Sequence, residues 1–250
     1  MGITKANQPH SNEQWPNGWW VTRVAETGST NTDLVKLGAE GAKHHSVLMA
    51  DFQSAGKGRL DRTWVAEPGA NLLVSLLFRT NETLERPLHQ FTQMVGMSAA
   101  RACMQLTGVL PDMKWPNDLL IGSKKFAGMI AQATNKGVVL GIGINVGMSK
   151  EELPVENATS LSLEGFSELD RNTILAAIIN HFEINLEMWE NDKSFLAEYR
   201  AASSSIGNEV EVTLPGGEVV KSTAQNISDT GALLLANGRE VTVGDVVHLR

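Results

Sequence analysis

The stretch QSAGKGRLDRTW, Gln53 to Trp64, places three cations, Lys57, Arg59 and Arg62, within six positions among two glycines and an alanine. Cations that close repel one another unless an anion lies between them, and glycines let backbone N–H groups approach that anion. Arg59 and Arg62 offer planar donor forks that suit phosphate oxygens, and Lys57 adds a point charge. No Gly-Lys-Ser/Thr opens a helix here, so the pattern is not a P-loop. The bland alternative is a solvated basic turn with a glycine bend. Trp64 either joins the core or covers an adenine or the loop itself.

Three other stretches carry side chains able to do chemistry. In GSTN, Ser29 and Thr30 stand where a helix begins. They either cap it or aim hydroxyls and N–H groups at a polar ligand. In KWPND and KKFAG, Asp118 and Lys125 lie seven apart across a Gly122-Ser123 turn. In a hairpin they project into one site as an acid–base or orienting pair. Otherwise they form a solvated ion pair worth about 0–1 kcal/mol. In GIGIN the glycines permit close strand packing, and a buried Asn145 needs partners that a nucleotide or a metal-bound water can supply.

The elements that must position these residues are legible from periodicity. GSTNTDLVKLGAEG reads as a helix with Leu34 and Leu37 on one face, ended by Gly38 or Gly41. HSVLMADFQ, NLLVSLLFR and GVVLGIGINV are short apolar runs that predict buried strands. DMKWPNDLLIGSKKFAGMIAQAT reads as strand, tight turn and strand, with Pro116 excluding a regular central strand around itself. Helical spacing covers about His89 to Thr107 and all of Ser167 to Arg200. From about Ile206 the pattern changes to short alternating strands broken by Pro-Gly-Gly, Asp-Thr-Gly and Asn-Gly, which predicts a small barrel of about five strands. The organisation expected is a polar arm (1–18), a mixed α/β domain (19–203) and a small all-β domain (204–250).

Composition narrows the class. A net charge of −7 argues against nonspecific nucleic-acid binding. Cys103 is the only cysteine, which excludes an internal disulfide or a cysteine-based zinc site, and the six histidines lack metal-ligand spacing. The N-terminus lacks signal-peptide features, and the apolar runs are too short to span a bilayer. A cytoplasmic chain without membrane attachment is expected.

Taken in order, GSTN, QSAGKGRLDRTW, KWPND, KKFAG and GIGIN resemble the signature of biotin–protein ligases, across nearly the whole chain from about Gly18. The resemblance implies an α/β (α+β) fold: a mixed-sheet, class II synthetase-like catalytic domain with a small C-terminal SH3-like β-barrel. It implies activation of biotin with MgATP to biotinyl-5′-AMP, then transfer to a lysine of a biotin carboxyl carrier domain. By the same resemblance Ser29, Thr30 and Asn31 hold the ring end of biotin, Gln53 helps close its pocket, and Gly128 lines it. Lys57, Gly58 and Arg59 fold over biotin and the adenylate, and Arg62 and Trp64 face the nucleotide. Asn117 and Asn145 fall on the ATP side, Asn145 through magnesium. Lys125 reaches the α-phosphate and carboxylate, and Asp118 orients the acceptor amine; Lys125, Arg59 and Asp118 form the catalytic set.

Two positions depart from the family loop: Lys57 stands where Arg is usual, and Asp61 where Gly is common. Gly147 to Ala158, the adenosine-side loop by position, carries no matching motif. About 18 polar residues precede the core, too few for the DNA-binding helices some members carry, so a ligase without DNA binding is expected, as monomer or weak homodimer. A lipoate or octanoate ligase or transferase is the nearest alternative, though its Arg-rich, triple-Gly motif is missing. A noncatalytic biotin or nucleotide sensor is the alternative of another kind.

Overall fold

The computed structural model describes residues 15–60, 62–79, 87–134, 137–191 and 195–249. Most of the expected N-terminal arm, residues 1–14, and Asp61 of the basic loop lie outside the described residues.

Seven strands make the main sheet: β1 (Trp20–Thr27), β2 (Ser46–Gln53), β3 (Asn71–Arg79), β4 (Asp112–Lys114), β5 (Asp118–Ile121), β6 (Lys124–Thr134) and β7 (Gly137–Asn145). Their order is β1-β2-β3-β7-β6-β5-β4. β1 and β2 run parallel and every other neighbouring pair runs antiparallel, so the sheet is mixed. The apolar run of β3 is buried at every residue before Arg79, as a central strand covered on both faces must be.

Alternation along the strands divides the apolar side chains between two helical layers. On one face α1 (Thr30–Ala39) packs Leu34 against Leu48, Leu77 and Val139. On the other, Val47, Met49, Leu72 and Val74 meet α2 (Leu88–Thr107) and α3 (Arg171–Glu190) through Phe91, Met94, Leu175 and Ile178. The long helical reading of Ser167 to Arg200 divides in two, α3 and the short α4 (Leu196–Ala201). Asp170 stops α3 from starting earlier, because its carboxylate accepts from Thr173 N at 2.9 Å and caps the first turn. Asn191 ends it and turns its amide back on Glu187 O.

The last five strands are β8 (Glu209–Thr213), β9 (Val219–Ile227), β10 (Leu233–Leu235), β11 (Glu240–Val241) and β12 (Asp245–His248), an antiparallel sheet ordered β11-β10-β9-β8-β12. Its Val210, Val212, Ala224, Ile227 and Leu233 belong to the same continuous apolar cluster as the main sheet. Polar bonds fix the seam: Gly231 O accepts from Gln93 Nε2 at 2.7 Å and from Trp115 Nε1 at 3.1 Å. No described helix is long and apolar enough to cross a membrane.

Candidate functional site

The start of α1 and the last residue of β2 form one wall of a cavity of about 140 Å³. Ser29 takes the N-cap position, but its hydroxyl makes no capping bond, against the simplest reading of a capped helix. Instead Gln53 Oε1 accepts from Thr30 N at 2.7 Å and from Thr30 Oγ1 at 3.0 Å. Thr30 Oγ1 also lies 2.9 Å from Ser75 Oγ on β3. The helix start is therefore tied to two strands, which leaves Ser29 and Asn31 free to face the cavity. Asn31 is 3% exposed, yet neither its Oδ1 nor its Nδ2 has a partner among the described residues. A buried amide with both ends unpaired is destabilising by about 1–3 kcal/mol, unless a ligand completes it.

The floor is laid by glycines. A Cβ at Gly143 would lie 2.6 Å from the Trp64 indole, and one at Gly128 would lie 3.0 Å from it. The glycines of GIGIN and KKFAG thus leave room for the indole to lie against the sheet, which goes beyond the close strand packing read from sequence. Trp64 Nε1 is buried without a partner among the described residues.

The loop that carries the cations folds on itself. Lys57 and Thr63 form an antiparallel bridge, Gly58 N donates to Arg62 O at 2.7 Å, and Trp64 N donates to Gly56 O at 2.9 Å. Arg59 reaches inward, donating Nη1 to Asn117 Oδ1 at 2.9 Å and Nη2 to Gly244 O at 3.0 Å. Burial lowers its guanidinium pKa, and Asp245 and Asp118 oppose that fall. Arg62 pairs with Asp245 of the C-terminal sheet.

Asp118 and Lys125 meet as the hairpin reading expects, with Nζ 2.7 Å from Oδ1. The register shifts between Leu119 and Leu120, and the absent side chain of Gly128, opposite Asp118, leaves the space Lys125 occupies. Lys125 Nζ also lies 5.6 Å from the centre of the Trp64 ring. Asn117 Nδ2 donates to Met129 O at 3.0 Å, which holds its oxygen toward Arg59.

Ser29, Thr30, Asn31, Gln53, Lys57, Gly58, Arg59, Arg62, Trp64, Asn117, Asp118, Lys125 and Gly128 are all brought to this one cavity. Asn145 is not. It is buried, its Oδ1 accepts from Asn71 Nδ2 at 3.1 Å, and its Nδ2 donates to Thr159 O at 3.0 Å. The partners a buried Asn demands come from the protein itself.

Sequence reasoning missed two residues that line the cavity, Ser75 and Asp245, and a neighbouring cation, Lys114. Ser75 hides in an apolar strand. Lys114, in KWPND itself, stands opposite Asp118 in register, and burial lowers its ammonium pKa while Asp118 and Asp245 oppose the fall. Asp245 lies nearly two hundred residues along the chain from the loop it meets, with no local signal. Among the described residues no group of three or more His, Cys, Asp or Glu is placed to hold a metal ion.

This fold and this cavity define a class of protein. The model for the biotin/lipoate A/B protein ligase family matches residues 24–149, and that for the biotin protein ligase C-terminal domain matches residues 205–249. The chain belongs to the biotin/lipoate A/B protein ligase family. It is 39% identical over 243 residues to the biotin--[acetyl-CoA-carboxylase] ligase of Mycobacterium tuberculosis, covering 94% of this chain and 91% of the relative. It is 30% identical to the bifunctional ligase/repressor BirA of Escherichia coli, over 88% of this chain and 70% of that protein. Among solved structures, the biotin protein ligase of Aquifex aeolicus in complex with biotin and ATP superposes with a TM-score of 0.81 at 26% identity, covering 92% of this chain and 99% of that one.

Proposed function

We propose that this chain is a biotin–protein ligase that activates biotin with ATP to biotinyl-5′-AMP and transfers the biotinyl group to a lysine of a biotin carboxyl carrier domain. The observation that carries this reading is Asn31, a buried amide facing the cavity with one donor and one acceptor unpaired. The ureido ring of biotin offers both complements, a carbonyl and N–H groups. Lipoyl and octanoyl tails offer neither and would leave the amide unpaired, which weakens their binding by about 1–3 kcal/mol. Ser29, Thr30 and Gln53 join Asn31 in holding the ring.

In the first half-reaction a biotin carboxylate oxygen attacks the α-phosphorus and pyrophosphate leaves. Arg59, Lys125 and Lys57 offset the negative charge that this encounter brings together. In the second, the acceptor amine attacks the anhydride carbonyl and AMP leaves. Asp118 lies 2.7 Å from Lys125 Nζ, so it can orient that amine in the same space. Closing the loop over a water-sensitive anhydride protects it as well as speeding its formation. Magnesium would enter as the partner of the triphosphate, since the described residues form no carboxylate cage of their own.

We take residues 19–203 as the catalytic part and 204–250 as a C-terminal part that closes the phosphate side, working in the cytoplasm as a monomer or weak dimer. The deciding experiment is pyrophosphate release from MgATP with biotin, run beside lipoate and octanoate. Release with biotin alone, then a biotinyl mass shift on a carrier domain, is expected. Release only with a lipoyl or octanoyl substrate would move the chain to the sister activity. Tight biotin binding without release would make it a sensor.

A further inference from the structure

Both loop arginines have acceptors in or next to the C-terminal sheet. Arg62 is paired with the Asp245 carboxylate, and Arg59 donates to the carbonyl of the preceding residue, Gly244, at 3.0 Å. Both acceptors sit at the start of β12, immediately after a short link from β11, so one corner of the C-terminal sheet holds both cations. Asp245 also lines the cavity beside Arg59, Arg62, Lys125 and Asp118. The Arg62 and Asp245 side chains are 58% and 34% exposed, so water and a ligand reach the pair.

Among the described residues, the charges around this corner are Lys57, Arg59, Arg62, Lys114 and Lys125 against Asp118 and Asp245. Asp118 is engaged by Lys125 at 2.7 Å. Asp245 is therefore the anion whose removal frees Arg62 and raises the positive potential facing a polyphosphate.

Resting on the ligase reading, we propose that Asp245 is a built-in counterion that occupies Arg62 in the ligand-free chain and is displaced by the phosphates of the nucleotide. The C-terminal sheet thereby latches the cationic loop when the phosphate site is empty, and Arg62 exchanges one anion for another on binding. A partly exposed ion pair contributes up to about 1 kcal/mol, so the exchange lowers polyphosphate affinity by a modest factor and leaves ATP easily able to win.

The test is titration of the full chain with inorganic triphosphate by calorimetry, without biotin. Asp245→Asn is expected to bind triphosphate about threefold to fivefold more tightly, the factor that ion pair represents, while Asp245→Glu keeps the wild-type affinity. KM for ATP in pyrophosphate release should fall by the same factor, with KM for biotin unchanged. Equal or weaker triphosphate binding by Asp245→Asn overturns the proposal, because the carboxylate would then not compete for Arg62. Thermal melts report folding, and Asp245→Ser is read in the same way if the Asn variant does not fold. A wild-type chain that binds triphosphate but releases no pyrophosphate with biotin would instead fail the ligase reading, so the two failures are distinguishable.

Discussion

At the scale of single residues, the cavity is built from groups that the fold leaves unsatisfied. Asn31 is buried with both amide ends unpaired among the described residues, so its removal has opposite effects on two observables. Asn31→Ala is expected to raise the thermal midpoint of the ligand-free chain. The same change should weaken biotin binding about fivefold to 150-fold, the equivalent of about 1–3 kcal/mol, as read by biotin titration. Lys125 carries the other end of the site. Lys125→Ala should reduce biotin-dependent pyrophosphate release by at least about a hundredfold while Ser29, Thr30 and Asn31 stay in place, and release near the wild-type rate would refute its proposed phosphate role. Arg59 has two anchors, Asn117 and Gly244 O, so Arg59→Gly removes the tie between loop, main sheet and C-terminal sheet. That variant should release the adenylate faster and label bystander lysines, which mass spectrometry of a carrier-domain mixture would detect.

At the scale of elements, two features make predictions of their own. β7 can lie against the loop only because Gly143 has no side chain: a methyl there meets the Trp64 indole at 2.6 Å. Gly143→Ala should push Trp64 off the sheet, shift its fluorescence and weaken biotin binding, with the strand itself intact. At the other end of the sheet, His45 enters β2 with φ 61 and stacks on Trp19 at 4.2 Å between ring centres. Burial first, then the neighbouring His44, lowers its pKa to about 4. The unfolded chain therefore takes up this proton near pH 6.5 and the folded chain only near pH 4. Stability from this group is full above pH 6.5 and is lost as the pH falls toward 4. Burial lowers the pKa of His44, His89, His181 and His248 too, so they add in the same direction. Urea midpoints should fall between pH 7 and pH 5; replacing His45 with Gln should reduce that fall, and an unchanged slope would remove His45 from the account.

At the scale of the whole molecule, the small sheet is part of the site. It shares one apolar cluster with the main domain and supplies the acceptors of Arg59 and Arg62. Gly231 is a tight point of the seam: φ is 87°, and a Cβ would lie 2.2 Å from Gln93 Oε1. Gly231→Ala is expected to destabilise the chain by about 2 kcal/mol, about 4–8 °C in Tm, in a single cooperative transition. It should also raise KM for ATP, because the corner that meets the loop belongs to the same sheet. A variant with a lower Tm but unchanged ATP kinetics would show that the seam stabilises without positioning.

The sequence by itself determined the central strands β2, β3 and β7, the hairpin of β5 and β6, the main helices, the change to a small all-β unit near Ile206 and most of the candidate site, but not the edge strand β1, whose residues show no clean alternation. It could do so because periodicity and glycine placement are local, and the ordered motifs GSTN to KKFAG place their side chains within a few residues of a turn or helix start. The Asp118–Lys125 pair was legible for that reason, since seven residues and one Gly-Ser turn suffice to bring it together. Tertiary structure alone decided three matters. It turned Asn145 toward Asn71 and Thr159, because a buried amide takes whichever partners the neighbouring strand and loop present. It made Gly143 of β7 and Gly128 of β6 a bed for Trp64, since close approach depends on what arrives from elsewhere in the chain. It also set Asp245 against Arg62, a pairing that no local pattern encodes and that exists only because two sheets close on the same loop.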